Sequence, residues 1–539
     1  MLLGKLNFSC LKLIKITLQR YMAMFRIFII MMGCITILSM QAQTHNMASD
    51  SLTHYKNNYS KRWIQPQLKI LNTPIKINYT KLPLDVFYKL KVSPYKVCDS
   101  SNFKNIINND ADAFLKWCDQ HGYITSELHL DYEMITDTLY MSWYLQLRHQ
   151  YKLDSIICIS KHTFRKSFLK GCLKLNTAVP LNYYDVSKIS SQLSGTDFIL
   201  ESKPSQLYLT SRQAKLYIYP ELKPTSQFEG LLGIQNQTLT QSPVITGDLN
   251  LLLKHQLWHH GELVDLKWRR LQFQTQDFQL RFQFPFWMGT PIGSRIEFQI
   301  YRRDTAFIDI KQKWGMQYQP TATRSYDVFY TKHQTTPLGT FSSDTIGQFV
   351  REAFGISTFW KFNSKPFPYS NGISCDFTFQ TGNRYSNAFK NTPQLLTEFK
   401  FCYIIPLTQH HAIMYQLNGS ALISNRAYYA NELFRIGGFK TLRGFDEESL
   451  WCSSYAVNTL EYRWMLSSAS FLYTFYDQAA YQRQLLTSYL QDVPYSVGLG
   501  MQFKLNAGSI NLCYAVGSQF NAPLAFSIAK IHVGYKTVF

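Results

Sequence analysis

The residues of this chain that could do chemistry match few of the patterns known from enzymes. No Gly-x-Ser-x-Gly or His-Glu-x-x-His motif occurs, which argues against a lipase-type serine hydrolase and a zinc peptidase. Gly498-Leu-Gly500 lacks the third glycine of a dinucleotide-binding loop. The ten cysteines include no Cys-x-x-Cys pair, so no metal site is expected. We therefore predict a protein that is not an enzyme and that needs no cofactor.

One glycine-rich segment carries an arginine in a setting that few loops share. Residues 435–450 read Arg-Ile-Gly-Gly-Phe-Lys-Thr-Leu-Arg-Gly-Phe-Asp-Glu-Glu-Ser-Leu, between two stretches that alternate apolar and polar residues. Gly437, Gly438 and Gly444 permit sharp turns, because glycine adopts positive φ at no steric cost. The triplet Arg443-Gly444-Phe445 is therefore expected in a tightly folded loop that connects two strands.

The chain is basic, with 55 Lys and Arg against 35 Asp and Glu and a formal net charge of +20. Nucleic-acid binders concentrate such charge in a patch or stripe. Here the basic residues are scattered singly, with no run of five or more. Nucleic acid is therefore not an expected partner. The charge is accounted for if the basic residues line the polar interior of a membrane barrel and contact anionic lipid headgroups or lipopolysaccharide phosphates.

The first 42 residues have the order of a secretory signal peptide. Lys and Arg residues up to Arg26 precede the apolar run 27–38, and the small residue Ala42 follows at a cleavable position. The basic region is long, so translation from Met22 or Met24 is an alternative start. Residues 1–42 are predicted to direct export from the cytoplasm.

Residues 43–225 give signals of small mixed α/β domains. Residues 43–97 form a leader with little periodicity, followed by predicted modules at 98–153 and 154–225. The first module should contain a helix at 110–121, then strands at 126–134 and 138–148. The second should contain strands near 154–159, 206–210 and 214–220 around a helix at 183–193. An unrelated small α+β domain would give the same pattern.

From residue 226 to 539 strand signals follow one another without helical periodicity. In Phe278-Gln-Leu-Arg-Phe-Gln-Phe284 every second residue is apolar. Aromatics make up 15% of the chain, a load that suits a lipid interface better than the inside of a soluble sandwich. We expect a 16-stranded antiparallel transmembrane β-barrel, since closed bacterial barrels have even strand numbers. The predicted strand starts are 228, 243, 261, 275, 294, 305, 324, 349, 371, 395, 410, 451, 469, 494, 508 and 529.

The glycine-rich loop then falls between strands eleven and twelve, and there it resembles the sixth extracellular loop of the BamA/TamA superfamily. Arg443-Gly444-Phe445 match the arginine-glycine-aromatic core of that loop. The resemblance implies an outer-membrane barrel with the loop folded into its lumen. It also implies that the modules at 98–225 are POTRA domains, the periplasmic modules of this superfamily.

The resemblance further implies an acidic partner for Arg443 on strand thirteen, in a Phe-x-Asp-x-Gly pattern. Strand thirteen reads Phe475-Tyr-Asp-Gln-Ala479, so Asp477 matches the acid and Ala479 replaces the glycine. Glu461, on an inward position of strand twelve, is a second candidate partner. An arginine that stays in water on a surface loop is the alternative interpretation.

The C-terminal strand places Tyr535 and Phe539 on one face, which is similar to the terminal recognition signal of outer-membrane barrels. From the resemblance we expect an insertase or translocase that assembles or exports client proteins. A passive conduit on the same fold is one alternative. A two-partner secretion transporter is another, although the plug helix usual there is not evident at 43–60. The expected partners are unfolded outer-membrane or secreted client proteins, outer-membrane lipids and lipopolysaccharide, and periplasmic assembly partners.

Overall fold

The computed structural model describes residues 75–538, apart from short gaps at 80–81, 84–94, 99–102, 136–137, 175–178, 197, 237–242, 273–274, 322, 340–345, 364–371, 388–389, 468, 486–487, 506–507 and 521. The predicted signal peptide (1–42), the segment 43–60 and Phe539 lie outside these residues. The chain divides into two compact units, residues 1–149 and 150–539. No helix in the described part is both long and apolar enough to cross a membrane.

The first unit is one helix packed on a four-stranded sheet. Its elements are β1 Ile75–Asn78, β2 Tyr95–Cys98, α1 Phe103–Gln120, β3 Glu127–Ile135 and β4 Thr138–Gln146. The strand order is β2-β1-β4-β3, with β1 parallel to β4. The core contains Ile75, Ile77, Phe114, Leu115 and Trp143, all fully or almost fully buried.

This unit begins earlier than the predicted module boundary at residue 98. Strand β1 and all but the last residue of β2 lie within the predicted leader 43–97, yet both strands belong to the sheet. Each strand has only four residues. Such short segments carry too few alternations for a period-two pattern to stand out.

The second unit starts with a small module, residues 150–222, that precedes the barrel. It consists of β5 Leu153–Cys158, α2 Lys166–Leu173, α3 Tyr183–Ser187, α4 Ile189–Gly195, β6 Ile199–Leu209 and β7 Ala214–Leu222. The strand order is β5-β7-β6, with β5 parallel to β7. Helix α2 was not predicted, because its buried residues span only two turns between loops.

This module packs on the turn between the second and third barrel strands, residues 255–262. His255 is fully buried among the rings of Phe164, Phe168 and Phe198. Its Nε2 lies 3.2 Å from the carbonyl oxygen of Thr163, and its Nδ1 accepts the Gly261 N–H at 2.9 Å. Burial lowers the pKa of His255, because the charged ring would lose its hydration.

The same turn is organised by Glu262. Its carboxylate accepts the backbone N–H groups of Leu257, Trp258 and His260 at 2.7–2.9 Å. Burial alone would raise the pKa of Glu262, but these three donors outweigh it and lower the pKa. The turn is therefore a preformed surface onto which the module docks.

The rest of the unit is a closed antiparallel barrel of sixteen strands, as the sequence predicts. The short β23 and the longer β24 both pair with β22 and together form the fourteenth strand. Two further short strands, β19 and β20, form a hairpin inside the loop after β18. The strands are β8 Gln227–Asn236, β9 Pro243–Lys254, β10 Leu263–Gln272, β11 Thr275–Phe284, β12 Ile292–Arg303, β13 Phe307–Thr321, β14 Arg324–Pro337, β15 Phe349–Asn363, β16 Gly372–Ser386, β17 Thr392–Pro406, β18 His411–Ser424, β19 Phe434–Ile436, β20 Leu450–Cys452, β21 Ser454–Met465, β22 Phe471–Gln484, β23 Tyr489–Asp492, β24 Tyr495–Leu505, β25 Gly508–Ser518 and β26 Lys530–Val538.

The predicted strand starts agree closely with the observed ones. The largest difference is in the fourteenth strand, predicted to start at 494 and observed from Tyr489, the first residue of β23; the next largest are 395 against Thr392 and 451 against Ser454. Agreement at this level follows from the alternating pattern, which fixes both the face and the approximate limits of each strand.

The two faces of the barrel have opposite character. Apolar side chains such as Trp314, Val328 and Phe354 are exposed on the outer face, where lipid would surround them. Carboxylates such as Asp309 and Asp327 are buried on the inner face, where they meet arginine and histidine. An apolar exterior and an ionic lumen define a transmembrane barrel.

The barrel closes between β26 and β8. Among the described residues, two pairs join these strands, Thr537 with Phe228 and Val538 with Gln227. By comparison, β15 and β16 pair continuously from Phe349–Ser386 to Asn363–Gly372. We call the β26–β8 junction the seam, the barrel end that bears the module the near end, and the opposite end the far end. The two seam pairs lie at the near end.

Candidate functional site: the lumenal loop

The loop between β18 and β21, residues 425–453, starts at the far end and folds into the barrel. Gly437, Gly438 and Gly444 have φ of 117°, 93° and 81°, which side chains with a Cβ rarely adopt. The Thr441 hydroxyl accepts the Gly437 N–H at 2.8 Å and donates to the Gly437 carbonyl at 2.7 Å. This local turn reverses the chain and presents Arg443 to the barrel wall.

Arg443 binds two carboxylates on adjacent strands. Its Nε and Nη2 donate to the two oxygens of Asp477 at 2.7 and 2.6 Å, and its Nη1 donates to Glu461 at 2.7 Å. Arg443 is 7% exposed, Asp477 1% and Glu461 6%. A bidentate pair in this geometry is charge-assisted and directional, so it fixes the position of the loop.

The barrel wall is built to receive this guanidinium. Glu461 on β21 is opposite Phe475 on β22, and Asp477 is the next inward residue along β22. The Phe475 ring lies 3.5 Å from Arg443 Cζ, a cation–π contact. Arg463 donates to the second oxygen of Glu461 at 2.7 Å. Two arginines thus balance two carboxylates, as buried charges require.

The other two residues of the triplet pack tightly beside this site. Phe445 joins a buried cluster with Leu442 and Ala479. Gly444 lies so close to β25 that a Cβ there would be 2.8 Å from the Gly517 nitrogen. Ala479, at the position where the resemblance implies glycine, is fully buried in the same cluster as Phe445.

The loop has further anchors that the sequence did not indicate. Arg435 donates to Asp309 on β13 at 3.3 Å and stacks over Tyr301 at 4.0 Å. Glu432, fully buried at its side chain, pairs with Arg384 on β16. Each partner is tens of residues away along the chain, and single charges in alternating strands reveal no pairing.

A second group of contacts joins the loop to the strands near the seam. Arg269 on β10 donates to Glu447 at 3.0 Å and also pairs with Glu448. Lys530 on β26 lies 2.7 Å from Asp446. From the sequence, these residues are predicted near the triplet or in strands, and no role is predicted for them.

Space remains in the lumen around the loop. A cavity of about 540 Å³ is lined mainly by charged and polar side chains, including Lys311, Glu398 and Arg435. A smaller one of about 170 Å³ lies beside Arg443. Within the described residues, no three His, Cys, Asp or Glu side chains are arranged to hold a metal. The arrangement binds and orients a loop.

The structure places the terminal residues outside this site. Tyr535 lies on the outer face of β26 and is 41% exposed. Phe539 lies beyond the described residues. A role for Tyr535 and Phe539 in barrel recognition stays a prediction.

The chain forms a closed barrel with an ionic lumen and an inward loop, which identifies it as an outer-membrane β-barrel protein. Comparison with known proteins indicates which outer-membrane proteins it is similar to. The family model for haemolysin secretion/activation proteins ShlB/FhaC/HecB matches residues 360–501. This range includes the loop and its wall, β21 and β22.

Two solved structures share the fold. CdiB from Acinetobacter baumannii is 13% identical, with a TM-score of 0.55, and the match covers 95% of this chain and 98% of that chain. CdiB from Escherichia coli is 13% identical, also with a TM-score of 0.55, and covers 94% and 98%. No curated protein sequence matches this chain. The family model thus matches the part of the chain that contains the loop, and the shared fold covers nearly the whole chain; both agree with the resemblance to the BamA/TamA superfamily that Arg443-Gly444-Phe445 carries.

Proposed function

We propose that this protein exports an unfolded client protein across the outer membrane through its barrel lumen, as a two-partner secretion transporter does. The observation that carries the proposal is the match to a family of secretion proteins over residues 360–501, which contain the loop that fills the lumen. The sequence alone favoured an insertase or translocase, with a passive conduit and a two-partner secretion transporter as alternatives. The family match favours the secretion transporter.

Transport by this route requires the loop to move. The loop crosses the lumen and is held by Arg443 on one wall and by Arg435 and Arg269 on others. These are side-chain ion pairs and ring contacts, which can separate without breaking the strands that carry them. A client that occupied the lumen would meet the same polar wall that now binds the loop.

The two small α/β domains, residues 75–149 and 150–222, would then act as POTRA modules that receive the client in the periplasm. The second module supports this role, because it docks on the β9–β10 turn at the near end of the barrel. A client passed along its sheet would arrive beside the lumen entrance. No bond is made or broken in this process, so the protein acts by binding and guidance.

A specific observation favours a second function, insertion of client strands at the seam. Two residue pairs join β26 and β8 within the described residues. An edge with unpaired backbone groups can accept an added strand by β-augmentation. Seam insertion and lumen export make different demands, since the first requires the seam to open and the second requires the loop to move.

Two crosslinked variants separate these functions. Cysteines at Thr537 and Phe228, which are register partners, would form a disulfide that locks the seam. Cysteines at Asp446 and Lys530, joined by a short bis-maleimide that adds one thiol at each end, would lock the loop. Both need a background in which the ten native cysteines are replaced. The uncrosslinked form of each variant is its matched control.

The readout is proteomics of the culture medium and of the outer membrane. We expect the locked loop to deplete proteins from the medium, while the locked seam leaves secretion intact. Outer-membrane proteins lost only in the seam-locked form would favour insertion instead. No change in either fraction, with crosslinking verified on gels, would favour a passive conduit.

A further inference from the structure

We propose that residues 440–448 of the lumenal loop clasp the seam from inside the barrel and hold it closed where backbone pairing is missing. We call this segment the clasp. The proposal rests on the proposed function in one respect: it implies that a client that displaces the loop also loosens the seam. The clasp itself is a property of the barrel without client.

Among the residues that the structure describes, the seam lacks backbone pairing over most of its length. Within the described residues, its two pairs lie at the near end, where β26 finishes and β8 begins. Toward the far end, β26 pairs on its other side with β25, from Ser509–Lys536 to Ala515–Lys530. Ile531 and Val533 on the outer face of this stretch are 73% and 57% exposed. Something other than the backbone ladder must hold this part of the seam.

The clasp contacts the C-terminal side of the seam at the far end. Asp446 lies 2.7 Å from Lys530, the first residue of β26. The Phe439 ring, just before the clasp, lies 5.6 Å from the His532 ring. Gly444 packs directly against Gly517 on β25. Phe439, Gly444 and Asp446 of the loop therefore all contact the last two strands, β25 and β26.

The clasp also contacts the N-terminal side of the seam. Glu447 and Glu448 both pair with Arg269 on β10, and Glu448 accepts the Tyr301 hydroxyl of β12 at 3.1 Å. Lys440 lies 3.8 Å from Asp248 on β9. Strands β9 and β10 continue directly from β8, so these contacts hold the sheet on the far side of the junction.

Adjacent residues of one short segment thus bind opposite sides of the same gap. Asp446 holds β26, and the next two residues hold β10. Arg443 keeps the segment in place through its bidentate pair with Asp477, on a part of the wall that the seam does not interrupt. Withdrawal of the loop would remove all these bridges together, which couples loop position to seam closure.

The test measures the seam directly, in purified protein without client. Nitroxide labels at Val533 on β26 and Leu249 on β9, in a background without native cysteines, report the distance across the seam by pulsed electron resonance. The variant Asp446→Asn/Glu447→Gln/Glu448→Gln removes the clasp charges and keeps the side-chain shapes. We expect it to replace the single wild-type distance population with a broader one that extends to longer distances.

A matched control is Glu297→Gln. Glu297 pairs with Arg295 at 2.7 Å on β12, away from the seam, and its side chain is 32% exposed against 34% for Glu447. This control should leave the distance distribution unchanged. Folding of each variant is checked by its heat-modifiable mobility on gels.

A second variant keeps the proposal testable if the triple variant folds poorly. Asp446→Lys with Lys530→Glu restores an ion pair of reversed sign and should retain the wild-type distribution, while Lys530→Glu alone should broaden it. An unchanged distribution in the triple variant or in Lys530→Glu would overturn the clasp. Such a result would leave the proposal of lumen export standing, because export requires the loop to move and does not require the clasp charges to hold the seam.

Discussion

The wall formed by β21 and β22 and the seam formed by β26 and β8 are opposite extremes of one barrel. Strands β21 and β22 pair without interruption from Ser454–Gln482 to Met465–Phe471. The seam has two pairs in the described residues. The wall carries Asp477 and Glu461, which are buried, whereas the clasp residue Asp446 has a side chain that is 74% exposed.

This difference indicates separate roles for the wall and the seam. Buried, hydrogen-bonded charges are costly to separate, so the wall is a fixed support for the loop. Exposed ion pairs contribute about 0–1 kcal/mol each, so the contacts at the seam can break and reform. A transporter that moves its loop needs both kinds of contact. The buried pairs at the wall define the resting position of the loop, and the weaker contacts at the seam allow the seam to open.

The largest expected effect comes from breaking the firm attachment. Arg443→Ala would leave Asp477 buried without its bidentate partner, which costs about 3–5 kcal/mol in a pair of this kind. We expect a large loss of folded barrel and of export, measured by urea unfolding in lipid vesicles and by proteomics of the medium.

The double variant Arg443→Ala/Asp477→Ala is the control for this prediction. It removes the unpaired carboxylate, so it should be less destabilised than Arg443→Ala alone. Lys530→Ala, which breaks an exposed pair at the seam, should change the free energy of unfolding by about 1 kcal/mol or less. Wild-type stability and export in Arg443→Ala would contradict the role of the wall.

Much of the barrel could be predicted from sequence because period two is a strong signal. A barrel strand such as Phe278–Phe284 has one face toward lipid and the other toward the polar lumen, so its apolar and polar residues alternate without interruption. The sixteen strands and the place of the loop follow from this signal. In the first unit, β1 and β2 escaped prediction because four residues hold too little of it.

The candidate site was predictable only where a motif existed. The resemblance pointed to Arg443 with Asp477 and Glu461, and the structure brings these three side chains together. Arg269 with Glu447 and Arg435 with Asp309 have no motif, and they are 178 and 126 residues apart. Which inward charges meet depends on strand register and on the path of the loop, and neither is written in local sequence.

A smaller effect is expected from the turn that brings Arg443 to the wall. Gly444→Ala would place a Cβ at φ 81°, which costs about 1–2 kcal/mol for a non-glycine residue, and 2.8 Å from the Gly517 nitrogen. We expect reduced stability in urea unfolding. Gly534→Ala on β26 is the matched control, since its Cβ would meet nothing nearer than 4.0 Å. Equal stability of the two variants would show that the close approach of the loop to β25 is not required.

The smallest expected effect concerns neither wall nor seam but the docked module, and it depends on pH. The pKa of His255 is lowered by burial, so the unfolded or undocked state binds a proton more readily. Stability from His255 is present above its unfolded pKa of about 6.5 and is lost as pH falls below that value. Each unit of pKa difference corresponds to about 1.4 kcal/mol. Amide exchange of α2, corrected for intrinsic rates, should therefore speed up from pH 7.5 to 5.5.

His255→Asn tests this assignment, because His255 has a positive φ of 57° and asparagine tolerates such a conformation. This variant should lose the pH dependence of α2 exchange, since Glu262, with a lowered pKa, titrates below the range measured. The exposed His129 in the first unit provides the matched control as His129→Asn, which should keep it. If α2 exchange were equally pH-dependent without His255, the module would be held by contacts other than this ring.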